Sequence, residues 1–381
     1  MQRRGDETSR SPRAVHEEQV LTHLRRYGAC SRAELVAVTG LSRATVSQLS
    51  GRLIARGQVV TADSAPSPTQ VGRPPETLTL TPAAGLVLGV DFGHARVALV
   101  LADAAHEVAG SRTLSYRRDT GWDERSALAL TAGRELVASR GRHPLAAAGV
   151  GVPGGISGRA EVQAALETQL GSALGVPVRS DNNARLAGLA ETVWGAARGV
   201  SDVAYLKLSN GVGGALVLGG RIHTGQRGQA GEFGHVCVDA EGPLCRCGKH
   251  GCLERYVRLD QVLADAGHAG VAELRAALDR SERRSAEVVR TAGRRIGAVL
   301  AGVATVTDVV HVVVGGELIG LGEHLLDPVR RTLRDQLGGP HADAVRVEPA
   351  RLGDYAGALG AIARVLHDDS VPLLAVPDSL R

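Results

Sequence analysis

Residues 231–254 read GEFGHVCVDAEGPLCRCGKHGCLE. Four of the five cysteines fall between positions 237 and 252, close behind His235. Cys245, Cys247 and Cys252 share a Gly-containing loop, and with His235 they supply a Cys3His set suited to a closed, tetrahedral structural site. Soft thiolates and imidazole favour zinc over magnesium or calcium. Cys237 is expected as a buried strand residue, and His250 is an alternative ligand. A metal on one ring nitrogen of His235 fixes its tautomer and leaves the other nitrogen to hydrogen-bond. Glu232 and Glu254 flank the loop. An imidazole between two carboxylates forms a set of partners for a polyhydroxylated ligand, against the simpler reading of both acids as solvated surface.

Working outward, apolar runs alternate with helical segments. Leu86–Val90 reads as a buried strand ending in Asp91-Phe92-Gly93, and Val97–Leu101 as a second strand. Leu145–Val152 breaks at Pro153-Gly154-Gly155, and further runs lie at Val203–Leu208, Ala215–Leu218 and Val309–Val314. The longest helical pattern spans Ser285–Val306. The spacing predicts a mixed α/β body. Its strands end in Gly turns at Asp91 and Gly93, at Gly211, Gly213 and Gly214, and at Gly315 and Gly316. Such turns let backbone approach phosphates, although each alone reads equally as an ordinary tight turn.

The first 75 residues differ in charge. They carry eleven Arg and six acids, net +5, and the remaining residues are net −1. That asymmetry points to a nucleic-acid-binding end. Val20, Leu21 and Leu24 share one helical face between Glu17 and Arg26, and Gly28 is placed to end that helix. Ser31-Arg32-Ala33-Glu34 reads as a capping box opening a second helix. Thr39-Gly40-Leu41 turns to Ser42, the N-cap of a third helix carrying Val46, Leu49 and Leu53. This is a helix-turn-helix, with Gln58–Thr61 and Thr77–Leu80 as strands of a wing. Arg43, Thr45, Ser47 and Gln48 are then placed near base edges and Arg52 near phosphate. Arg73, in Gly72-Arg73-Pro74-Pro75, is placed to enter a narrow minor groove, with a rigid linker as the alternative.

A chain of 381 residues with 44% hydrophobic content and net charge +4 has room for two or three domains. Five cysteines in such a length exclude a small disulfide scaffold, and the modest charge argues against disorder. No apolar segment near the N-terminus resembles a signal peptide, and none elsewhere reaches membrane-span length. The expectation is a cytoplasmic protein without membrane contact.

The 231–254 segment, with Gly149-Val-Gly-Val-Pro-Gly154 and Leu352-Gly-Asp-Tyr-Ala-Gly357, resembles the ROK family of sugar-responsive repressors and sugar kinases across nearly the whole chain. The resemblance implies an actin-like or hexokinase-like pair of lobes around a cleft, preceded in the repressors by a winged helix. It implies a DNA-binding domain over 1–80 and a sugar-binding domain over 81–381. The lobes of the latter would be 81–182 plus the C-terminal helix, and 183–350. It also implies His235, Cys245, Cys247 and Cys252 as ligands of a structural zinc, and Glu232, His235 and Glu254 as sugar contacts. Arg179-Ser180-Asp181-Asn182-Asn183-Ala184 is similar to the family's Asn-Asp element, with Ser180 in place of the Asn and Asp181 at the kinases' general base.

The departures decide between repressor and kinase. Family kinases carry Asp-x-Gly-Gly-Thr where this chain has Asp91-Phe92-Gly93-His94-Ala95, and Gly-Thr where it has Ser209-Asn210. Phosphoryl transfer depends on positioning and charge stabilisation, so both losses argue against efficient turnover. The Gly turns then become vestigial nucleotide sites, and Asp181 a hydroxyl-binding residue. The expectation is a transcriptional regulator of carbohydrate genes, a repressor, binding operator DNA as a homodimer or homotetramer under a sugar or sugar-phosphate effector. The alternative is an ATP- and Mg2+-dependent sugar kinase carrying a DNA-binding head, with Asp181 as catalytic base.

Overall fold

The computed structural model describes residues 11–62, 76–141, 143–154, 160–368 and 370–371. The head begins with α1 (Pro12–Tyr27), opened by Ser11 and ended at Gly28. A two-residue strand, β1 (Cys30–Ser31), leads into α2 (Arg32–Thr39). The capping box is complete: Ser31 Oγ accepts from the Glu34 amide at 3.2 Å, and the Glu34 carboxylate accepts from the Ser31 amide at 2.6 Å. Gly40 ends α2 in the left-handed conformation (φ 69°), which glycine adopts without a Cβ clash. Ser42 then caps α3 (Arg43–Ala55). Strands β2 (Val59–Ala62) and β3 (Thr77–Leu80) complete a three-stranded wing in the order β1-β3-β2. Leu24, Leu35, Val46, Leu53, Leu78 and Leu80 form its buried core. The wing tip, Arg73 included, lies outside the described residues.

The first lobe holds β4 (Leu86–Phe92), β5 (Arg96–Asp103), β6 (Val108–Ser115), α4 (Trp122–Ala138), β7 (Leu145–Val152), α5 (Ala160–Leu174) and β8 (Val178–Asn182). After α6 (Asn183–Val193) come β9 (Val203–Leu208), β10 (Val212–Leu218) and β11 (Arg221–Ile222). Five helices follow: α7 (Glu254–Val257), α8 (Leu259–Ala266), α9 (Val271–Asp279), α10 (Arg283–Thr307) and, beyond β12 (His311–Gly315), α11 (Glu323–Leu337). The chain closes with α12 (Gly339–Ala344), β13 (Arg346–Pro349) and α13 (Ala356–Leu366).

The two five-stranded sheets run β6-β5-β4-β7-β8 and β11-β10-β9-β12-β13. Each has three antiparallel strands followed by two parallel ones, so one motif occurs twice. This is the paired-lobe, actin-like α/β architecture, with a winged helix-turn-helix before it. Lobe one packs Leu88, Val90, Phe92, Leu99 and Val150 beneath α4 and α5; lobe two packs Leu206, Val312 and Val314 beneath α8 to α11. Between them α13 lies on β4 and β7 in near backbone contact. A Cβ at Gly89 or Gly149 would overlap the carbonyl oxygens of Ala358 and Ala361.

The head is seated on this body through the last turn of α1. His106 Nε2, in the β5–β6 turn, bonds the Arg25 carbonyl at 2.8 Å, and His367 Nε2, just past α13, bonds the Arg26 carbonyl at 3.1 Å. Tyr27 packs edge-on against His367 and rests its hydroxyl over Gly220 in the β10–β11 turn. His106 in turn stacks edge-on against Trp194, at the end of α6. One helix terminus thus touches both lobes and the end of α13, and reaches the end of α6 through His106. Among the described residues no helix is long and apolar enough to cross a membrane.

Candidate functional site

The segment after β11 turns back through Phe233–His235 onto β10, and Gly234 allows this because a Cβ there would overlap the Val212 carbonyl. The loop bearing the cysteines is pinned to that turn. Lys249 Nζ donates to the His235 carbonyl at 2.7 Å, and the Cys245 amide donates to the Lys249 carbonyl at 2.8 Å. His235 Nδ1 lies 3.6 Å from Cys245 Sγ, and the sulfurs of Cys247 and Cys252 lie 3.5 Å apart. The four donor atoms all fall within 4.8 Å of one another. Ligands around a tetrahedral zinc stand about 3.3–3.8 Å apart, given metal–ligand bonds near 2.0–2.3 Å. The donor set therefore fits a metal ion. A backbone N–H from Lys249 lowers the Cys247 thiol pKa, whereas burial pushes Cys252 up to about 12. A bound cation would displace the proton from such a thiol.

Two expectations about the neighbours of this cluster change. Cys237 is exposed, bridging across to Cys252 through backbone instead of lying in a buried strand, because the 236–238 segment runs at the surface. His250 turns its Nδ1 to the Gly242 carbonyl at 2.9 Å and stays outside the cluster.

A metal held through Nδ1 would leave Nε2 of His235 protonated, a hydrogen-bond donor. Glu254 is only 2% exposed; its carboxylate accepts from the Val212 amide at 3.0 Å and pairs with Arg246 at 2.9 Å. Glu232 lines a groove of about 790 Å³ between its own segment and α10, with Arg294 and Arg295. Its side chain forms no hydrogen bond to His235 or Glu254 among the described residues.

The Ser180–Asp181 pair is drawn into the protein. Strand alternation sends Ser180 toward α5, where its hydroxyl donates to Glu167 at 2.9 Å. Asp181 points the other way, into a buried ion pair with Arg185 at 2.9 Å, one turn along α6. Arg185 is itself fixed to the Gly228 carbonyl at 2.7 Å. The same carboxylate oxygen accepts from the Asn182 amide at 2.7 Å, so Asp181 is held at the junction of β8 and α6. The next two residues reach the strand ends instead. Asn182 caps α6 and turns its amide nitrogen toward Gly154. Asn183 donates to the Phe92 carbonyl at 3.3 Å and hydrogen-bonds Asp91. They could have been found by noting that a residue opening a helix at a strand's carboxyl end faces the cleft.

The Gly turns separate into two kinds. Gly213, Gly214, Gly315 and Gly316 have their missing Cβ space filled by Ala184, Phe233, Tyr205 and Leu208. At these four positions the packing leaves no room for a side chain. At Gly211 the same position is open, 3.6 Å from Glu254 Oε2 and 3.8 Å from both Arg246 Nη2 and His94 Nε2. Gly93 closes a tight turn, its amide donating to the Arg96 carbonyl at 2.8 Å. Asp91 is buried, and burial raises its pKa against the opposing pull of Lys207 and Arg96. His94 has its pKa lowered by burial, then by the charges of Arg246, Arg118 and Lys207.

On the head, Arg43, Ser47 and Gln48 are exposed along α3, with Ala44 and Gly51 exposed beside them. The two small residues, absent from the sequence expectation, allow close approach to a surface. Thr45 is half-buried with its hydroxyl 2.8 Å from Ser42 Oγ, so it belongs first to the cap. Arg52 is half-buried near the end of the helix.

The sequence model described as "ROK family" matches residues 87–368. The chain is 25% identical to a xylose repressor of Caldicellulosiruptor bescii, over 89% of this chain and 92% of that one. It is 31% identical to the ROK hexokinase of Thermus thermophilus, a structure it matches with a TM-score of 0.63 over 73% of this chain and 97% of that one. A ROK family transcriptional regulator homologous to the Escherichia coli MLC protein shares the fold over 94% of this chain and 98% of its own, at 20% identity and a TM-score of 0.74.

Proposed function

The chain belongs to the ROK family, and on that premise we propose that it is a sugar-responsive transcriptional repressor of carbohydrate genes. One observation carries this reading: a winged helix with an exposed recognition face is seated by its first helix on both lobes of a ROK body. Operator DNA would lie along α3, with Arg43, Ser47 and Gln48 at base edges and Arg52 nearer phosphate. The sugar would lie in the interlobe cleft, contacting His235 Nε2 and Glu254, with Asn182 replacing Ser180 in the expected set. Glu232 stays a candidate only through its sequence position. Zinc would be held by His235, Cys245, Cys247 and Cys252, where its chemistry is to fix the loop and the imidazole tautomer. A pair of half-sites implies a homodimer or a larger even assembly.

The effector acts only if the two lobe arrangements bind it with different affinity. The buried Asp181–Arg185 pair and the Asp91-Phe92-Gly93-His94 turn weigh against phosphoryl transfer. A selection of operator fragments from random duplex DNA, repeated with a sugar panel, tests both ends together. We expect an enriched palindromic motif whose retention changes with one sugar class. Enrichment no better than random DNA would sink the repressor reading.

A further inference from the structure

One thiol of the metal segment is left over. Cys245, Cys247 and Cys252 join His235 in the donor set, and Cys30 is buried in the core of the head. Cys237 is the exposed thiol outside that set. Its place in the backbone is specific. The Val238 amide donates to the Gly251 carbonyl at 2.8 Å, and the Leu253 amide to the Val236 carbonyl at 2.9 Å. Cys237 and Cys252 therefore lie directly opposite each other between those two bonds. In an antiparallel ladder this is the non-hydrogen-bonded pair, with both side chains on one face and Cα atoms about 4.5 Å apart. A disulfide spans Cα separations of about 4.4–6.8 Å, so the backbone already holds the two residues at bridging distance. Cys237 also lines the groove of about 790 Å³ beside α10, which opens its sulfur to small solutes, whereas Cys252 is fully buried.

We propose that Cys237 is an oxidation site: a hydroperoxide, hydrogen peroxide in the simplest case, joins Cys237 to Cys252 as a disulfide and so takes one ligand from the metal site. This rests on the four donors holding a metal. The Cys237 thiolate attacks one peroxide oxygen, the O–O bond breaks, and the departing hydroxide takes a proton from solvent to become water. The product is a sulfenic acid, the form that condenses with a neighbouring thiol. Cys252 Sγ, directly across the ladder, then attacks the Cys237 sulfur. The S–O bond breaks, and a second hydroxide leaves and is protonated to water. Two thiolates have lost two electrons to one peroxide, and two waters have formed. Cys247 Sγ lies 3.5 Å from Cys252 Sγ, but both belong to the donor set, so Cys237 is the thiol free to react first. With Cys252 spent, three donors remain, and the loop loses the bond that ties its end to His235. Exposed disulfides are the readily reduced ones, so a thiol reductant returns the ligand.

The test treats the full chain, loaded with zinc, with a small excess of hydrogen peroxide. Zinc release is followed with a chelating dye, the intact mass is measured, and peptides are mapped without reduction. The parent chain should lose its zinc while its mass falls by two hydrogen atoms, and one peptide pair should join Cys237 to Cys252. Reductant and fresh zinc should restore the starting state. Cys237→Ser, at an exposed position, should take up zinc as the parent does and keep it over the time in which the parent loses it. Equal zinc loss from Cys237→Ser overturns the proposal, and so does a disulfide between Cys247 and Cys252 in the parent chain. Zinc held unchanged against peroxide overturns the oxidation site and spares the metal reading. A chain that takes up no zinc overturns both.

Discussion

At the scale of single residues, the chemistry divides between a cluster that was readable and a pair that was not. His235, Cys245, Cys247 and Cys252 were legible because metal ligands require particular atoms, and Cys-x-Cys-x4-Cys on a glycine-bearing loop limits what those atoms can do. Cys252→Ser should lower bound zinc below one ion per chain, measured by metal analysis, and weaken the effector's influence on DNA. Its DNA affinity without effector should stay within about twofold, since the cluster does not touch the head. The partner of Asp181 was not legible because residue type alone does not reveal one: Arg185 lies one helical turn away, and only the strand-to-helix junction brings them together. Asp181→Asn should cost about 3 kcal/mol or more in urea denaturation, because it strands a buried guanidinium. A kinase base would instead lose turnover at nearly unchanged stability. A neutral effect on stability would return Asp181 to the cleft.

At the scale of elements, caps and periodicity carried most of the fold. Gly28, the Ser31–Glu34 box, Gly40 and Ser42 set the three head helices in register, and the structure places each cap where the spacing predicts it. Strands β6, β8 and β13 escaped because they are short or carry polar residues at the sheet edges, and the repeated strand order leaves no sequence repeat to see. On α3, Arg43→Ala should reduce discrimination at one base position by about 1–3 kcal/mol, read from binding to point-substituted operators. Arg52→Ala should weaken all sequences alike and reduce the salt slope by about one. The end of α1 makes a separate pH prediction. Burial drives His106 down to about 4 and His367 to about 3, with Arg198 adding to the first and Arg26, His106 and Arg25 to the second. Both pKa values are depressed, so the unfolded chain binds more protons below the ordinary histidine pKa of 6.5. Stability is therefore full above that pH and lost as pH falls toward 4 and then 3, by about 2 kcal/mol per histidine between pH 7 and 5. Urea midpoints across that range should fall accordingly. His106→Asn, which keeps an N–H donor but cannot ionise, should remove about half of the slope.

At the scale of the whole molecule, the question is how a ligand in the cleft reaches a helix on the opposite side. The cleft opens at the strand ends carrying Asp91 and Ser209, whereas α1 docks on the turns at the other ends of the same sheets. His106 belongs to the first lobe's β5–β6 turn and Gly220 to the second lobe's β10–β11 turn. If the lobes rotate about the crossing helices α6 and α13, these turns move relative to each other, and α1 cannot keep both contacts. The head must then tilt or release one lobe, which changes the separation of paired recognition helices. No sequence pattern could show this, because the contacts join residues 25–27 to 106, 220 and 367 through the assembled fold. Gly220 is the position that isolates the effect: its φ is 70°, and a Cβ there would overlap the Tyr27 hydroxyl. Gly220→Ala should leave effector affinity within about twofold, since the substitution lies away from the cleft. The effector-induced change in operator affinity, about 5–150-fold in ordinary allosteric coupling, should collapse toward unity. The measurement is operator binding with and without saturating effector, beside direct titration of the effector. A variant that binds effector and still responds in full would show that the signal reaches the head by another route, leaving the α1 contacts as simple anchorage.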